Sequence, residues 1–279
     1  MSTEPGPATF GTRTARPMYA AFYGKLVPHA PLTELSQDAY SLFYSRSAAM
    51  GWLTPAVEGA SGGVWGMNDA EAGPALTPRP DPVAWFQVTL TEPAGAGVLP
   101  VQPFLACAGD VMARLGTLRL EAIQVLMPGQ DTPADGDFAS PSSMPVARPL
   151  LASLNWFGDC DPRLREPARV TLDGGPDPQV TAAAPAIARW IREIRQDVFA
   201  CDSYSLADDD HLVLRPTTLH GQPGAPHHRV TFHGTLTEWS LDALGWLAAF
   251  LADISSRHGA STPLLLTADR TGAPGTPAG

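Results

Sequence analysis

Lysine is almost missing from this chain. Lys25 is the only one in 279 residues, and arginine supplies every other side-chain cation. Schiff-base chemistry or phosphate capture by lysine would rest on that single residue, which sits in FYGKLVP without the glycine-rich approach of a P-loop, so no nucleotide cofactor is expected. Clustered positive charge is missing as well. With a formal net charge of −10 and a pI near 5.0, the chain is set against nucleic acid, because phosphate binding needs grouped cations to displace condensed counterions. Cysteine is scarce: Cys107, Cys160 and Cys201 are odd in number, far apart and without a C-x-x-C pair, which excludes a zinc ribbon or a disulfide framework. A reducing cytoplasm fits that usage. No apolar run reaches the length of a membrane span, and MSTEPGPATFGTRTARP breaks with proline, glycine and arginine where a secretory signal would be continuous. The expectation is a soluble, acidic, cytoplasmic protein that does not associate with membranes. Abundant Ala, Pro and Gly beside so little lysine reads as the amino-acid usage of a high-GC bacterial genome.

What is present divides into ordered blocks and loops. Residues 1–16 and 268–279 are rich in Pro, Gly and Thr without apolar periodicity and are expected to be disordered tails. Between them, residues 17–267 read as a single domain with long loops near 58–82 and 128–148, the kind of loop that often serves as a lid or a linker. The first eighty residues are expected to join the same core, since their glycine-rich half has too few apolar side chains for a core of its own.

Hydrophobic periods place the elements. MYAAFYGKLV reads as a strand, and LTELSQDAYSLFYSRSAAMGWL has helical spacing through Leu35, Tyr40, Phe43 and Tyr44. In VAWFQVTLT, Phe86, Val88 and Leu90 alternate with polar or aromatic neighbours, which predicts a strand with one apolar face. PFLACAGDVMARLG then predicts a helix with Leu105, Ala108, Val111, Met112 and Leu115 on one stripe, closed by Gly116 in a left-handed conformation. TLRLEAIQVLM is a strand whose alternation slips between Ala122 and Ile123, the sign of a bulge or of burial on both faces. LLASLNWFG, with Leu150, Ala152, Leu154 and Trp156 in alternation, reads as another strand, and ARVTL as a short one. A helix is expected from about Thr181, with Pro185 in its first turn and Ile187, Trp190, Ile191, Ile194 and Val198 inward. HLVLRPT and RVTFHGTL follow as strands. Next comes a helix from Leu241 to about His258, with Ser240 as N-cap and Gly259 at its end, and then the strand TPLLLT. The fold class is therefore α+β: a mixed, largely antiparallel sheet with helices on one side, compatible with ferredoxin-like split β-α-β units.

The one concentration of chemically capable side chains is TLHGQPGAPHHRVTFHG, which holds His220, His227, His228 and His233, four of the seven histidines. Imidazole is the commonest metal ligand and titrates near neutral pH. If HLVLRPT and RVTFHGTL formed a hairpin, Arg215 would face Arg229 and His211 would face His233 on one side, with Val230, Phe232 and Leu236 on the core side. Two opposed arginines repel unless an anion sits between them, so this face is a candidate seat for a carboxylate or phosphate. The alternative is a divalent metal on His211, His227, His228 and His233, with Asp208, Asp209 and Asp210 adding ligands. A solvated loop beside a wet sheet face competes with both.

Other motifs weigh less. Gly59 to Gly63 matches G-x-S-x-G but lacks the strand and helix that a nucleophile elbow needs. Asp159, Cys160 and Asp161 suit a turn, and the flanking carboxylates would raise the thiol's pKa. Trp65, in the glycine-rich loop, is a candidate cap for a ligand pocket or a partner surface. Two readings follow. One is a noncatalytic binding or accessory protein acting on a protein partner or a small acidic ligand, with self-association into a homo-oligomer compatible. The other is an enzyme of small-molecule metabolism with a His/Arg-lined pocket, in which a histidine works as acid or base and arginines hold the substrate.

Overall fold

In a computed structural model of the chain, residues 16–29, 38–54, 62–67, 76–77, 82–91, 98–130, 148–194, 196–206, 215–216 and 227–272 are described. Residues 1–15 and 273–279 of the expected tails, most of both expected long loops, Gly59 to Ser61, Asp208 to His211 and His220 lie outside them.

The chain runs β1 (Pro17–Pro28), α1 (Ala39–Ala49), β2 (Trp65–Met67), β3 (Leu76–Thr77), β4 (Ala84–Leu90), α2 (Val101–Leu115) and β5 (Gly116–Met127). It continues with α3 (Arg148–Ala152), β6 (Glu166–Asp173), α4 (Gln179–Glu193), β7 (Phe199–Ser205), β8 (Arg215–Pro216), β9 (Arg229–Leu236), α5 (Leu241–Arg257) and β10 (Leu264–Arg270). Eight strands form one antiparallel sheet in the order β2-β4-β1-β5-β10-β6-β9-β7, and β3 pairs with β8 in a separate ladder. The order resolves into two copies of one unit. Each is β-α-β-β-α-β with its strands side by side as fourth, first, third and second, which is the ferredoxin-like split β-α-β arrangement. The copies meet along their fourth strands, where β5 pairs with β10 from Met127↔Leu264 to Ala122↔Asp269.

Alternation decides which side of each strand meets the helices. Met18, Ala20 and Phe22 of β1, Phe86 and Val88 of β4, Ile123 and Val125 of β5, and Val230, Phe232 and Leu236 of β9 share one core with the inner faces of α1, α2, α4 and α5. α5 lies at the centre of this layer and is buried from Ala243 to Ser256, so its apolar residues run all round it. Ser240 caps it, accepting from the Ala243 amide at 3.1 Å, and Gly259 follows it at φ 92°. No helix among the described residues is long and apolar enough to cross a membrane.

Several elements differ from expectation. Gly116 is extended, with φ 176°, because α2 runs directly into β5. Glycine is needed there since a Cβ would lie 2.3 Å from the Val27 carbonyl oxygen. The slip in β5 is a bulge, with Tyr23 opposite Ala122 and Gly24 opposite Leu120, followed by burial on both faces from Ala122 to Met127. Residues 148–156 are α3 and a 3-10 turn instead of a strand. Leu150, Leu154 and Phe157 also fit a helical period, and the Leu150 carbonyl accepts from Trp246 Nε1 at 2.9 Å, which ties this link onto α5. That leaves Trp156 69% exposed. In α1 only Phe43 and Ser47 are buried, while Tyr40 and Tyr44 face outward. Trp65 is fully buried in β2 as part of the core, where its indole donates to Ser47 Oγ. α4 begins at Gln179, whose amide donates to Asp177 Oδ1 at 2.9 Å, and this moves Pro185 from the first turn to the helix's exposed side. β10 continues to Arg270, past the expected end of the ordered region.

Candidate functional site

No described helix packs on the sheet face opposite the core, yet that face is largely buried, and its two halves differ in chemistry. In the first copy it is apolar: Tyr19, Ala21, Tyr23, Ala122 and Leu126 cluster with Leu265, and Trp85 stacks on Tyr19 with ring centres 6.1 Å apart. Burial, together with the neighbouring Tyr23, pushes the Tyr19 phenol well above its ordinary pKa. At the seam Tyr23 Oη donates to Gln124 Oε1 and Gln124 Nε2 donates to Thr267 Oγ1, both at 3.1 Å. Beyond the seam the face turns polar. Thr171 and Thr231 hydrogen-bond across β6 and β9 at 3.0 Å, and two cross-strand ion pairs flank that band. One is Arg169–Asp269 at 3.1 Å.

The other is the densest site among the described residues. Asp173 ends β6, where its register partner in β9 is Arg229. Its carboxylate is 2% exposed and receives three donors: the Gly175 amide on Oδ1 at 2.7 Å, Arg229 Nε on Oδ2 at 2.9 Å, and His227 Nδ1 at 3.0 Å from Oδ2. Backbone bonds hold the two strand ends together, since the His228 amide donates to the Gly175 carbonyl at 2.8 Å and the Gly174 amide donates to that of His228 at 3.0 Å. A carboxylate in this position turns Nδ1 of His227 inward as a donor and leaves Nε2 for another partner. Arg229 is 5% exposed, and its Nη2 has no hydrogen-bond partner among the described residues. A buried guanidinium nitrogen left unpaired costs about 1–3 kcal/mol or more, so a ligand acceptor there would be favoured.

The hairpin pairing expected from the sequence is not formed among the described residues. β9 pairs with β6 and β7, and Arg215 belongs to β8, where its register partner is Thr77, so Arg215 and Arg229 are not cross-strand partners. β7 took the place assigned to HLVLRPT. Its sequence FACDSYS carries a bulge between Cys201 and Ser203 and no clean alternation, which hid it as a strand. His233 does share a face with Arg229, as expected, but it is exposed and stands beside Arg169 and Ser203. Four residue steps along the strand separate it from Arg229, about 13 Å, so the two do not converge on one small ligand. His227 sits at the Asp173 end of that stretch and His233 at the other. Among the described residues no group of three or more His, Cys, Asp or Glu is placed to hold a metal. His211 lies outside the described residues. The residue that sequence reasoning missed is Asp173. Its only signal was a carboxylate closing the apolar alternation ARVTLD before two glycines.

The cysteines are free, and burial pushes all three thiols up in pKa. For Cys160 the next cause is Glu238, whose Oε2 receives its thiol at 3.6 Å, with Asp159 contributing least. The Asp161 carboxylate caps a 3-10 turn as the turn reading expects, accepting from the Arg163 amide. Comparison with protein-family models, with curated proteins and with solved structures finds no match for this chain.

Proposed function

We propose that the protein is a noncatalytic binding protein whose ligand is a small acidic molecule, taken up beside Arg229 and His227 in the polar half of the sheet. The observation that carries this reading is Nη2 of Arg229, a buried charged donor without a partner among the described residues, next to a histidine held by the same carboxylate oxygen. Asp173 balances the charge of the arginine. A bound carboxylate or phosphate would accept a hydrogen bond from Nη2 and, with His227 protonated, a second from Nε2. Binding is preferred to catalysis because the hydrogen bonds of the His227 ring among the described residues go to Asp173 alone, so no hydroxyl or thiol is placed for it to activate.

Calorimetric titration of the full chain with inorganic phosphate and with succinate tests this. Saturable binding of either, weakened at least tenfold by His227→Ala and by Arg229→Lys with the fold intact by circular dichroism, is the expected result. Absence of saturable binding for both anions, or binding that neither variant changes, would overturn it. The second reading, an enzyme of small-molecule metabolism, draws on the Asp173–His227 contact, which would orient a general base. Under that reading His227→Ala would abolish turnover of a bound acid while leaving its affinity within about twofold.

A further inference from the structure

The seam between the two copies is shorter than the strands that make it. β10 pairs with β5 only as far as Ala122↔Asp269, then keeps to β6 through Arg270↔Ala168 and a bond from the Thr271 amide to the Pro167 carbonyl. β5 continues the other way, from Glu121 back to Gly116, paired to β1 alone among the described residues. The bulge opposite Tyr23 and Gly24 marks where the two strands part, as bulges bend the strand that carries them. A notch opens in the middle of an otherwise continuous sheet.

Which backbone groups face the notch follows from the antiparallel pattern, in which alternate residues point both N–H and C=O to the same side. Pro28 has no N–H and is the partner of Gly116, the Gly116 amide donates to Met112, and the Leu120 carbonyl accepts from Trp239 Nε1 at 2.9 Å. Gly116, Leu118 and Leu120 therefore turn their backbone away from β1. The amide and carbonyl of Leu118 have no partner among the described residues. Beside them lies a cavity of about 400 Å3, walled by Met112, Leu118, Leu120, Trp239 and Leu241, with His29 at its edge. An unpaired strand edge next to an apolar cavity is the geometry of strand addition, in which main-chain bonds supply affinity and alternate side chains fill pockets.

The rim specifies charge. Asp110, Glu238 and Asp242 are next in sequence to the lining residues Gly109, Trp239 and Leu241, as Arg114 and Arg119 are to Ala113 and Leu118, and Asp242 feels the other two carboxylates. Arg46 neutralises one of the three, through its bond to Asp110. Burial, and then these two carboxylates, raise the pKa of Asp242. We propose that this notch is a docking site for an extended peptide of a partner protein, which adds as a strand to β5 at Leu118 and places an apolar side chain in the cavity and an adjacent lysine or arginine against Asp110, Glu238 and Asp242.

The test uses the full chain and an array of labelled octapeptides that vary one apolar position and the charge beside it. Binding should select apolar next to Lys or Arg over apolar next to Asp or Glu by at least tenfold. N-methylation along the best peptide should weaken it at least tenfold at every second residue, a period that an interaction with side chains alone would not show. Asp242→Asn should lower affinity for the basic peptides while the protein remains folded, and Trp239→Phe, which removes the bond to the Leu120 carbonyl, should leave the period unchanged. No selection on the array, or N-methylation without a two-residue period, overturns the proposal. So does a free chain that is dimeric by native mass spectrometry and becomes monomeric on Leu118→Arg, since a second copy would then own the edge.

Discussion

The two copies share one topology and one helical layer, but the sheet faces turned away from the helices have opposite characters. The first copy covers its face with Tyr19, Ala21, Tyr23 and Leu126 and keeps an ion pair, Arg46–Asp110, out on the surface with side chains 38% and 48% exposed. The second places threonines, Arg169–Asp269 and the Asp173–His227–Arg229 group on that face, the Arg229–Asp173 pair at 5% and 2% exposure. The difference teaches that this topology sets the packing on the helical side and leaves the other side free to carry chemistry, here in one copy only.

Four substitutions would break or sharpen this contrast. The largest effect is expected from Asp173→Ala, which strands the buried Arg229 guanidinium and should cost about 3–5 kcal/mol in urea unfolding. The double variant Asp173→Ala/Arg229→Met should recover much of that loss, and a single-variant cost below about 1 kcal/mol would show that the site is wet. Next is Gln124→Leu at the boundary, which removes two side-chain bonds at 3.1 Å and leaves Thr267 buried without its donor. A loss of about 1–3 kcal/mol is expected, and an unchanged unfolding midpoint would place the polar boundary elsewhere.

Third is a pH effect at the end of α5. Burial, and then Arg189, hold His258 below its ordinary value of 6.5, so the unfolded chain takes up its proton more readily than the folded one. Its contribution to stability is complete above 6.5 and is lost as pH falls through the folded value, so His258→Gln should flatten the decline of Tm on the acid side. An acid limb identical in both proteins would count against it. The smallest effect is expected from Arg46→Ala in the first copy, about 0–1 kcal/mol, since an exposed pair gains little in water. A loss as large as that of Asp173→Ala would erase the distinction between the copies.

Much of the fold was legible because the period-two and period-3.6 patterns of β1, β4, α2, α5 and β9 agree with the sides they bury. The core side of β9, with Val230, Phe232 and Leu236, was readable before any partner strand was known. The link at 148–156 was misread because Leu150, Ala152, Leu154 and Trp156 alternate while Leu150, Leu154 and Phe157 also repeat at helical spacing, and only contact with Trp246 decides between them. The site was half legible. His227 and Arg229 stood out as residue types, but Asp173 is 54 and 56 residues away from them in the chain, and what joins them is the pairing of β6 with β9. Sequence neighbours suggested a hairpin with HLVLRPT, whereas a split β-α-β unit seats its third strand between its first and second. The repeated topology itself was hidden because the two faces away from the helices differ in residue type.

The bond from Gln124 to Thr267 has a meaning that its length does not convey. The two residues face each other across the junction of fourth strand with fourth strand, and they are different amino acids. An assembly of two identical protomers would carry every junction residue in duplicate and could not differentiate one side from the other. Two units in one polypeptide escape that symmetry, so a mutation near the junction is inherited by one unit alone, and a buried Asp173 on one side can coexist with a wall of aromatics on the other.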